Sequence, residues 1–509
     1  MVLATVLSSA VHGIDALLVE VEVDIGGGLP AMAIVGLPDA AVKESKDRVR
    51  SALRNAGYGS PERRVTVNLA PADVRKDGCA FDLPMALGIL AAEGLVPQAA
   101  LHEHVILGEL SLDGRVKPIR GALPIATMTQ TRRLRGVLLP SENVREAAVV
   151  QGIGVRPVPT LADAVDFLRG ERPIAPVSVD LASVFAPNGH YDLDFADVKG
   201  QEHVKRALEV AAGGGHNVIM VGPPGSGKTM LAKRLPTILP AFTLPEAIET
   251  TRVHSVMGLM DGRALVTVRP FRAPHHTISD AGLIGGGALP KPGEVSLAHH
   301  GVLFLDELPE FRKNVLEVLR QPLEEMRITI SRAVGSMTFP ANVMLVAAMN
   351  PCPCGYYGDP QKECSCSPVH IQRYRARISG PLLDRIDIQI EVPAVRYREL
   401  TARDPSEASA AIRARVDRAR AVQLARFHGR TIFCNAQMQP RDLRRYCTPQ
   451  PEAETLLENA MTKLALSARA YTRILKVART IADLDGVDTV GAAQVAEAIQ
   501  YRGLDRAFH

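Results

Sequence analysis

The chain has 509 residues, 46% hydrophobic and 22% charged, too long for one hydrophobic core and enough for about three globular domains. A net charge of +4 is small for this length and there is no Trp, so neither global charge nor aromatic stacking by itself points to a nucleic-acid partner. No segment stays apolar and uncharged for the ~18 residues of a membrane span. The N-terminus lacks a signal peptide's basic start, and seven Cys, an odd number with four clustered, argue against a secreted disulfide framework and for a cytoplasmic chain.

Residues 1–170 read as a mixed α/β domain. Leu17 to Val23 alternates as a strand with one exposed face does, and Ala40 to Gly57 is an amphipathic, basic helix stopped by Gly. Val65 to Leu69 reads as a short strand and Leu83 to Gly94 as a helix buried on most sides. Residues 171–193 carry three Pro and little periodicity, the composition of a linker. Residues 194–395 alternate strand and helix signals, as a nucleotide-binding α/β domain does, and 396–509 are dominated by helical periodicity. No fixed-period repeat suggests a solenoid.

The apolar strand Val218 to Val221 runs into Gly222, Pro223, Pro224, Gly225, Ser226, Gly227, Lys228 and Thr229, followed by a helix. This is the phosphate-binding pattern G-x-x-x-x-G-K-[ST] in strand–loop–helix context. Glycines let backbone N–H groups face phosphates, the helix N-terminus favours negative charge, Lys228 reaches the β/γ-phosphates and the Thr229 hydroxyl ligates Mg²⁺. The competing reading is an ordinary Gly/Pro turn. A second apolar run, Gly301 to Leu305, ends in Asp306 and Glu307. Asp306 is placed to hold Mg²⁺ through its water shell and Glu307 to polarise the attacking water; the alternative is a helix cap. A third run, Val343 to Met349, ends at Asn350, a polar nucleotide sensor or simply the start of a turn before Pro351.

The segment Gly380-Pro381-Leu382-Leu383-Asp384-Arg385-Ile386-Asp387 resembles the AAA+ branch that includes magnesium-chelatase ATPase subunits and minichromosome-maintenance helicases. The resemblance implies an AAA+ P-loop NTPase core at 194–395 with a C-terminal helical lid at 396–509. It makes Arg385 an arginine finger reaching the neighbouring subunit's ATP; the alternative is a structural pair with Asp384 or Asp387. Arg469, in Ser467-Ala468-Arg469, resembles the branch's second sensor, with Arg473 the fallback one helical turn on.

Longer stretches are similar to the bacterial ComM/YifB family: Arg269 to Ser279, Gly285 to Glu294, the Asn350 to Gly355 run and Gly36-Leu37-Pro38-Asp39. This resemblance runs in order over essentially the whole chain. It implies a homohexameric, ATP- and Mg²⁺-dependent DNA motor that promotes branch migration as single-stranded DNA is integrated during natural transformation. A magnesium-chelatase-type ATPase that remodels a protein partner is the alternative; those subunits do not carry the Lon-like N-terminal domain described below.

Ile328 to Phe339 alternates through Val-Gly-Ser and reads as a β-hairpin. In the related helicases a hairpin at this place enters the ring pore. Arg332 near its tip and Arg327 then become phosphate contacts, which give affinity without reading sequence; otherwise they are solvated arginines. The insert with His275, His276 and Lys291 is a second pore-loop candidate, and two adjacent His are a poor metal signal. Residues 1–170 resemble the Lon protease domain and its ribosomal S5-like fold. Ala80 stands at the nucleophile position after Lys76-Asp77-Gly78-Cys79, and Leu123 where the catalytic Lys would be, so the resemblance implies a domain without proteolytic chemistry. The helix bearing Lys43, Lys46, Arg48 and Arg50 is either a DNA surface or a solvated face. Cys352, Cys354, Cys364 and Cys366 can close a tetrahedral Zn²⁺ site, with His370 a substitute ligand; the single-residue spacing leaves free thiols or a redox role open.

Overall fold

The structure, a computed structural model, describes residues 2–59, 61–185, 192–287, 289–332, 335–360, 362–395, 406–430, 432–464 and 466–503. Ala333 and Val334 at the hairpin tip, Ala288 of the glycine-rich stretch, residues 186–191 of the linker and 396–405 at the start of the C-terminal region lie outside the described residues. The chain divides into two compact units, Met1–Asn188 with Leu244–Thr267, and Gly189–Thr243 with Val268–His509.

The first unit is built on a four-stranded sheet in the order Val2–His12, Asp15–Gly26, Arg64–Ala70, Ala31–Val35. The first three pair antiparallel and the last joins parallel. Val19, Val21 and Val23 are buried while Glu20 and Glu22 turn the other way, so the alternation read from sequence is the sheet's two faces. Against the buried face lies the helix Asp82–Ala92, all of whose residues are buried. Gly88 permits that packing: a Cβ there would come within 2.6 Å of Val23 Cγ2. The helix Ala40–Asn55 starts where Asp39 accepts the Val42 N–H at 2.8 Å. A second, parallel sheet orders His104–Ile106, Gly136–Leu139 and Gly154–Pro157.

The alternation of strand and helix signals predicts one unbroken nucleotide-binding domain over 194–395. In the structure Leu244–Thr267 instead clusters with the first unit. Its helix Leu244–Met257 buries Thr250, Thr251 and Ser255 beside Ala247 and Val253. Ser255 Oγ donates to the buried Glu146 carboxylate, and the Gly121 N–H donates to Ser255 O at 3.1 Å. Burial raises the Glu146 pKa against the Ser255 hydroxyl, the Leu123 N–H and Asn143.

The second unit is organised by a five-stranded, all-parallel sheet ordered Phe271–Arg272, Val302–Leu305, Met344–Met349, Val218–Val221, Ile388–Glu391. The middle three strands are buried on both faces, which is why they read as unbroken apolar runs. The helices Ser409–Arg426, Pro451–Lys463, Ala468–Asp485 and Ala492–Gln500 share one core with the sheet, in which Val218, Phe304 and Val346 join Ile474 and Ala478. Truncating Phe304, 2% exposed, to Ala removes about 3–5 kcal/mol of such packing. Because all five strands run the same way, one edge of the sheet collects their C-terminal ends, the edge where open α/β sheets bind ligands.

Candidate nucleotide site

The loop after Val221 is shaped by its glycines. A Cβ on Gly222 would stand 2.1 Å from Val392 O, so only Gly lets the loop leave the sheet there. Gly225 and Gly227 have φ of 77° and 90°, and Gly227 caps the helix Lys228–Arg234. Lys228 Nζ donates to Gly222 O at 2.8 Å and Pro223 O at 2.9 Å, and lies 3.3 Å from Asn350 Oδ1. Burial lowers its pKa below the ordinary lysine value, opposed by the Asp306 charge. Such a caged ammonium is placed to meet the negative charge of a β/γ-phosphate.

Thr229 Oγ1 donates to Asp306 Oδ2 at 2.7 Å, which brings two hard oxygen donors from different segments together, a set that suits Mg²⁺. Loop, lysine and oxygen pair together fit ATP with Mg²⁺. Glu307, next along the chain, has φ of 51° and leads into a 3-10 turn without capping it through its side chain, so the helix-cap alternative does not describe it. Asn350 ends the strand beside Val218–Val221 with its oxygen on Lys228, which is more than a turn before Pro351 requires. Lys228, Thr229, Asp306, Glu307 and Asn350 thus gather at the C-terminal edge of the sheet.

Arg385 does not. Asp387 and Ile388 donate to Asn217 O, and the Asn217 amide donates to Arg385 O at 3.0 Å. Asn217 immediately precedes Val218, so Arg385 sits at the N-terminal end of the sheet, about 13 Å of strand away from the phosphate loop. Its guanidinium is buried and bound to Glu324 and Pro381 O, and its Nε finds no acceptor among the described residues. The alternative pairing with Asp384 or Asp387 is therefore replaced by Glu324. Asp384 instead takes Arg469 at 2.8 Å, and Asp387 takes Arg473 at 2.9 Å. Arg473 is thereby committed to the interior, while Arg469 is 67% exposed and paired with Asp384, the residue before Arg385. The Asp387 carboxyl is held well below the usual carboxylate range: burial works against this, and Arg473 and His216 overcome it.

Just beyond Asn350, Cys352, Cys354, Cys364 and Cys366 bring their sulfurs within 4.8 Å of one another. The closest separations are 3.3, 3.6 and 3.7 Å. Four Zn–S bonds of ~2.3 Å in a tetrahedron would set sulfurs ~3.8 Å apart, so the quartet fits Zn²⁺. Backbone N–H groups of Tyr357 and Cys354 point at Cys352 Sγ and Cys366 Sγ, and the Tyr356 N–H brings the Cys354 thiol down to about 6. His370 is not in the quartet. The loop also touches the phosphate loop: a Cβ on Gly355 would stand 2.5 Å from Pro224 Cδ.

The expected hairpin spans Arg327–Arg332 and Gly335–Pro340, with Ile328 opposite Phe339 and Arg332 opposite Gly335. Ile328, Ile330, Met337 and Phe339 are buried, while Thr329 meets Thr338 and Ser331 meets Ser336 on the polar face, each pair at 3.1 Å. Arg327 pairs with Glu325 at the base; Arg332 is exposed. Beside it lies the ribbon of Gly285–Gly286 and Lys291–Pro292: a Cβ on Gly286 would be 3.7 Å from Arg332 Nη2. Arg332 and the exposed Lys291 therefore belong to neighbouring projections.

In the first unit Ala80 is half-buried and Leu123 fully buried, its N–H donating to Glu146 at 2.9 Å. Arg48 is withdrawn from any DNA surface: it forms an ion pair with buried Asp82 at 2.7 Å. Two contacts at the site carried no signal in the sequence, Glu324 against Arg385 and His276, read there only as part of the insert, whose Nδ1 lies 3.3 Å from Glu307 Oε2. Both are contacts across long sequence separations.

Comparison with known proteins accounts for nearly the whole length. The family description "Magnesium chelatase, subunit ChlI" matches residues 194–400, "Subunit ChlI of Mg-chelatase" matches 21–143, and "Magnesium chelatase, subunit ChlI C-terminal" matches 406–502. The competence protein ComM of Haemophilus influenzae is 45% identical over 509 residues, covering 99% of this chain and 98% of that one. The YifB protein of Escherichia coli is 41% identical over 508 residues, covering 99% and 98%. Lon protease 2 of Bacillus subtilis is 28% identical over 146 residues, 27% of this chain and 26% of that one.

Proposed function

The chain belongs to the ComM/YifB family of magnesium-chelatase-like AAA+ ATPases, and from that premise we propose that it is an ATP-driven DNA translocase or helicase. It works as a homohexamer on single-stranded and branched DNA and promotes branch migration as incoming DNA is integrated in natural transformation and recombination. The observation that carries this reading is the placement of the hairpin Arg327–Pro340: it lies in the chain between the strand ending at Asp306 and the strand ending at Asn350. Its base is therefore tied to both walls of the nucleotide site, and a change at the γ-phosphate has a short route to Arg332.

In this mechanism Lys228 and the loop N–H groups bind the phosphates of ATP. Thr229 and Asp306 hold Mg²⁺, which neutralises charge on the phosphates. Glu307 polarises the attacking water and Asn350 positions it. Arg385 and Arg469, lying away from their own phosphate loop, complete the site of the adjacent subunit, so hydrolysis waits for ring assembly. Arg332, Arg327 and Lys291 contact DNA phosphates. The cysteine quartet holds structural Zn²⁺. The Lon-like first unit, with Ala80 and Leu123 in place of nucleophile and base, is proteolytically inactive. We place the protein in the cytoplasm, in keeping with a DNA substrate; among the described residues no helix is long and apolar enough to cross a membrane.

The test is ATP turnover with and without forked or single-stranded DNA. DNA should stimulate the wild type, and Arg332→Ala should lose that stimulation while keeping basal hydrolysis; its binding should lose about one unit of salt slope. A magnesium-chelatase-type role, favoured by the chelatase descriptions that match three stretches of the chain, predicts no DNA effect even at low salt.

A further inference from the structure

On the proposed function the attacking water is shared by Glu307 and Asn350, so the ends of their two strands must keep a fixed separation. The sheet alone does not fix it. The ladder between Val302–Leu305 and Met344–Met349 stops where Leu305 meets Ala347, two residues before Glu307 and three before Asn350. Glu307 lies beyond it with φ of 51°, a left-handed conformation that a residue with a Cβ keeps only where its surroundings hold it.

One short segment grips both strand exits. The helix Pro368–Arg375, capped by Ser367, ends in Tyr374 and Arg375, and Arg377 follows in the turn. Arg375 Nε donates to Pro351 O at 3.2 Å, next to Asn350. Arg377 Nη1 donates to Pro309 O at 3.1 Å and to Glu310 Oε2 at 2.8 Å, on the 3-10 turn Leu308–Glu310 that Glu307 opens. That turn closes on Glu307 itself, whose carbonyl accepts the Glu310 N–H at 2.8 Å. Arg377 and Glu310 are about half exposed, so their ion pair contributes little and the carbonyl contact is the grip. Tyr374, buried between the arginines in sequence, seats the segment. Burial pushes its phenol up to about 12, with the Glu310 charge adding to this and a hydrogen bond from the Asn350 backbone opposing it, so the same oxygen feels both exits.

We propose that this segment sets the gap between base and sensor, with Arg375 and Arg377 as positioning residues for the hydrolytic step. They act through backbone carbonyls, Pro351 O on the sensor side and Pro309 O on the base side. A shift of about 1 Å at either exit spoils the approach of water to the γ-phosphate. This rests on Glu307 being the base and Asn350 the group that positions the water.

The experiment measures steady-state ATP turnover of the full-length chain in Arg377→Ala, Arg375→Ala and the double variant. Each single change should lower kcat about 10- to 100-fold with KM for ATP unchanged, the size of a misplacement near 1 Å. The double variant should fall no further than the less active single variant, because losing either arm already frees the gap. Arg377→Lys, which still reaches the Pro309 carbonyl, should recover part of the rate, and Glu310→Gln should stay near wild type. Should Arg377→Ala fail to fold, Arg377→Met keeps the apolar stem and carries the same expectation. Wild-type kcat in either single variant overturns the proposal. So do losses that multiply in the double variant, or a raised KM in step with a lowered Tm, which would make the arginines braces of the fold. Wild-type turnover in Glu307→Gln sinks the base assignment instead, whatever the arginine variants do.

Discussion

The two ends of the parallel sheet in the second unit carry opposite kinds of polar group. At the C-terminal end a lysine is caged by carbonyl oxygens and a carboxylate accepts from a hydroxyl, an arrangement open to an anion and a divalent cation. At the N-terminal end three arginines rest on three carboxylates, Arg385 on Glu324, Arg469 on Asp384 and Arg473 on Asp387. On the proposed function, the first end is half of a nucleotide site that takes positive charge from an adjacent subunit. The second holds positive charge its own chain cannot deliver across the sheet. On the proposed function the site is divided between copies, and Arg385 is kept on a carboxylate that an incoming γ-phosphate displaces.

The largest way to break that comparison is to remove the charge. Arg385→Ala should cut turnover by ~10³–10⁵ while leaving ATP binding intact, the range of a finger acting in trans. Mixing Arg385→Ala subunits with Lys228→Ala subunits should restore part of the rate, since some interfaces then pair an intact loop with an intact arginine. Mixed rings that stay silent at every ratio would place Arg385 in its own site or in the fold. Glu324→Gln serves as the counter-test: it should free Arg385 without loss of turnover.

A smaller effect distinguishes the third arginine from the other two. Asp387 is 1% exposed and anchors Arg473, His216 and the Asn217 N–H, so it is a clamp of the fold. Asp387→Ala should cost about 3–5 kcal/mol in urea unfolding, because it leaves a cation with no counter-charge. Its folded pKa lies below the unfolded value near 3.9, so the contribution is fully present above pH ~4 and is lost as the pH falls through the folded pKa. An Asp387→Ala chain as stable as wild type at neutral pH would make all three pairs equivalent surface contacts.

How much of this was readable beforehand follows the range of the interactions. The phosphate loop and the Asp306 strand are contiguous, and their buried parallel strands leave apolar runs that locate them. The hairpin was located within one residue at each end, because Ile328, Ile330, Met337 and Phe339 face one way. The partner of Arg385 was not readable: Glu324 is 61 residues away, while Asp384 and Asp387 lie close by and suggest themselves. The transfer of Leu244–Thr267 to the first unit was missed for a related reason. Its helix buries Thr250, Thr251 and Ser255 beside only Ala247 and Val253, too weak an apolar stripe to say which core it serves. Arg48, placed on an outward basic face, turns in to Asp82 across 34 residues.

The smallest expected effect tests whether the C-terminal end of the sheet is braced as the other end is. There the quartet after Asn350 does the bracing, through Gly355 lying on Pro224 of the phosphate loop. With Zn²⁺ bound the loop is closed covalently on both flanks, and Pro224 has a fixed surface to rest on. The purified protein should contain about one zinc per chain by elemental analysis. Cys364→Ser, or chelation, should remove it and raise KM for ATP a few-fold with kcat little changed, since Glu307 and Arg385 are untouched. Gly355→Ala separates the contact from the metal: it forces a Cβ into Pro224 at a φ of 88° while leaving all four thiols in place. Raised KM in Gly355→Ala with zinc retained would show that the loop acts by its seat on Pro224. Raised KM in Cys364→Ser alone would assign the effect to the metal's hold on the Asn350 strand.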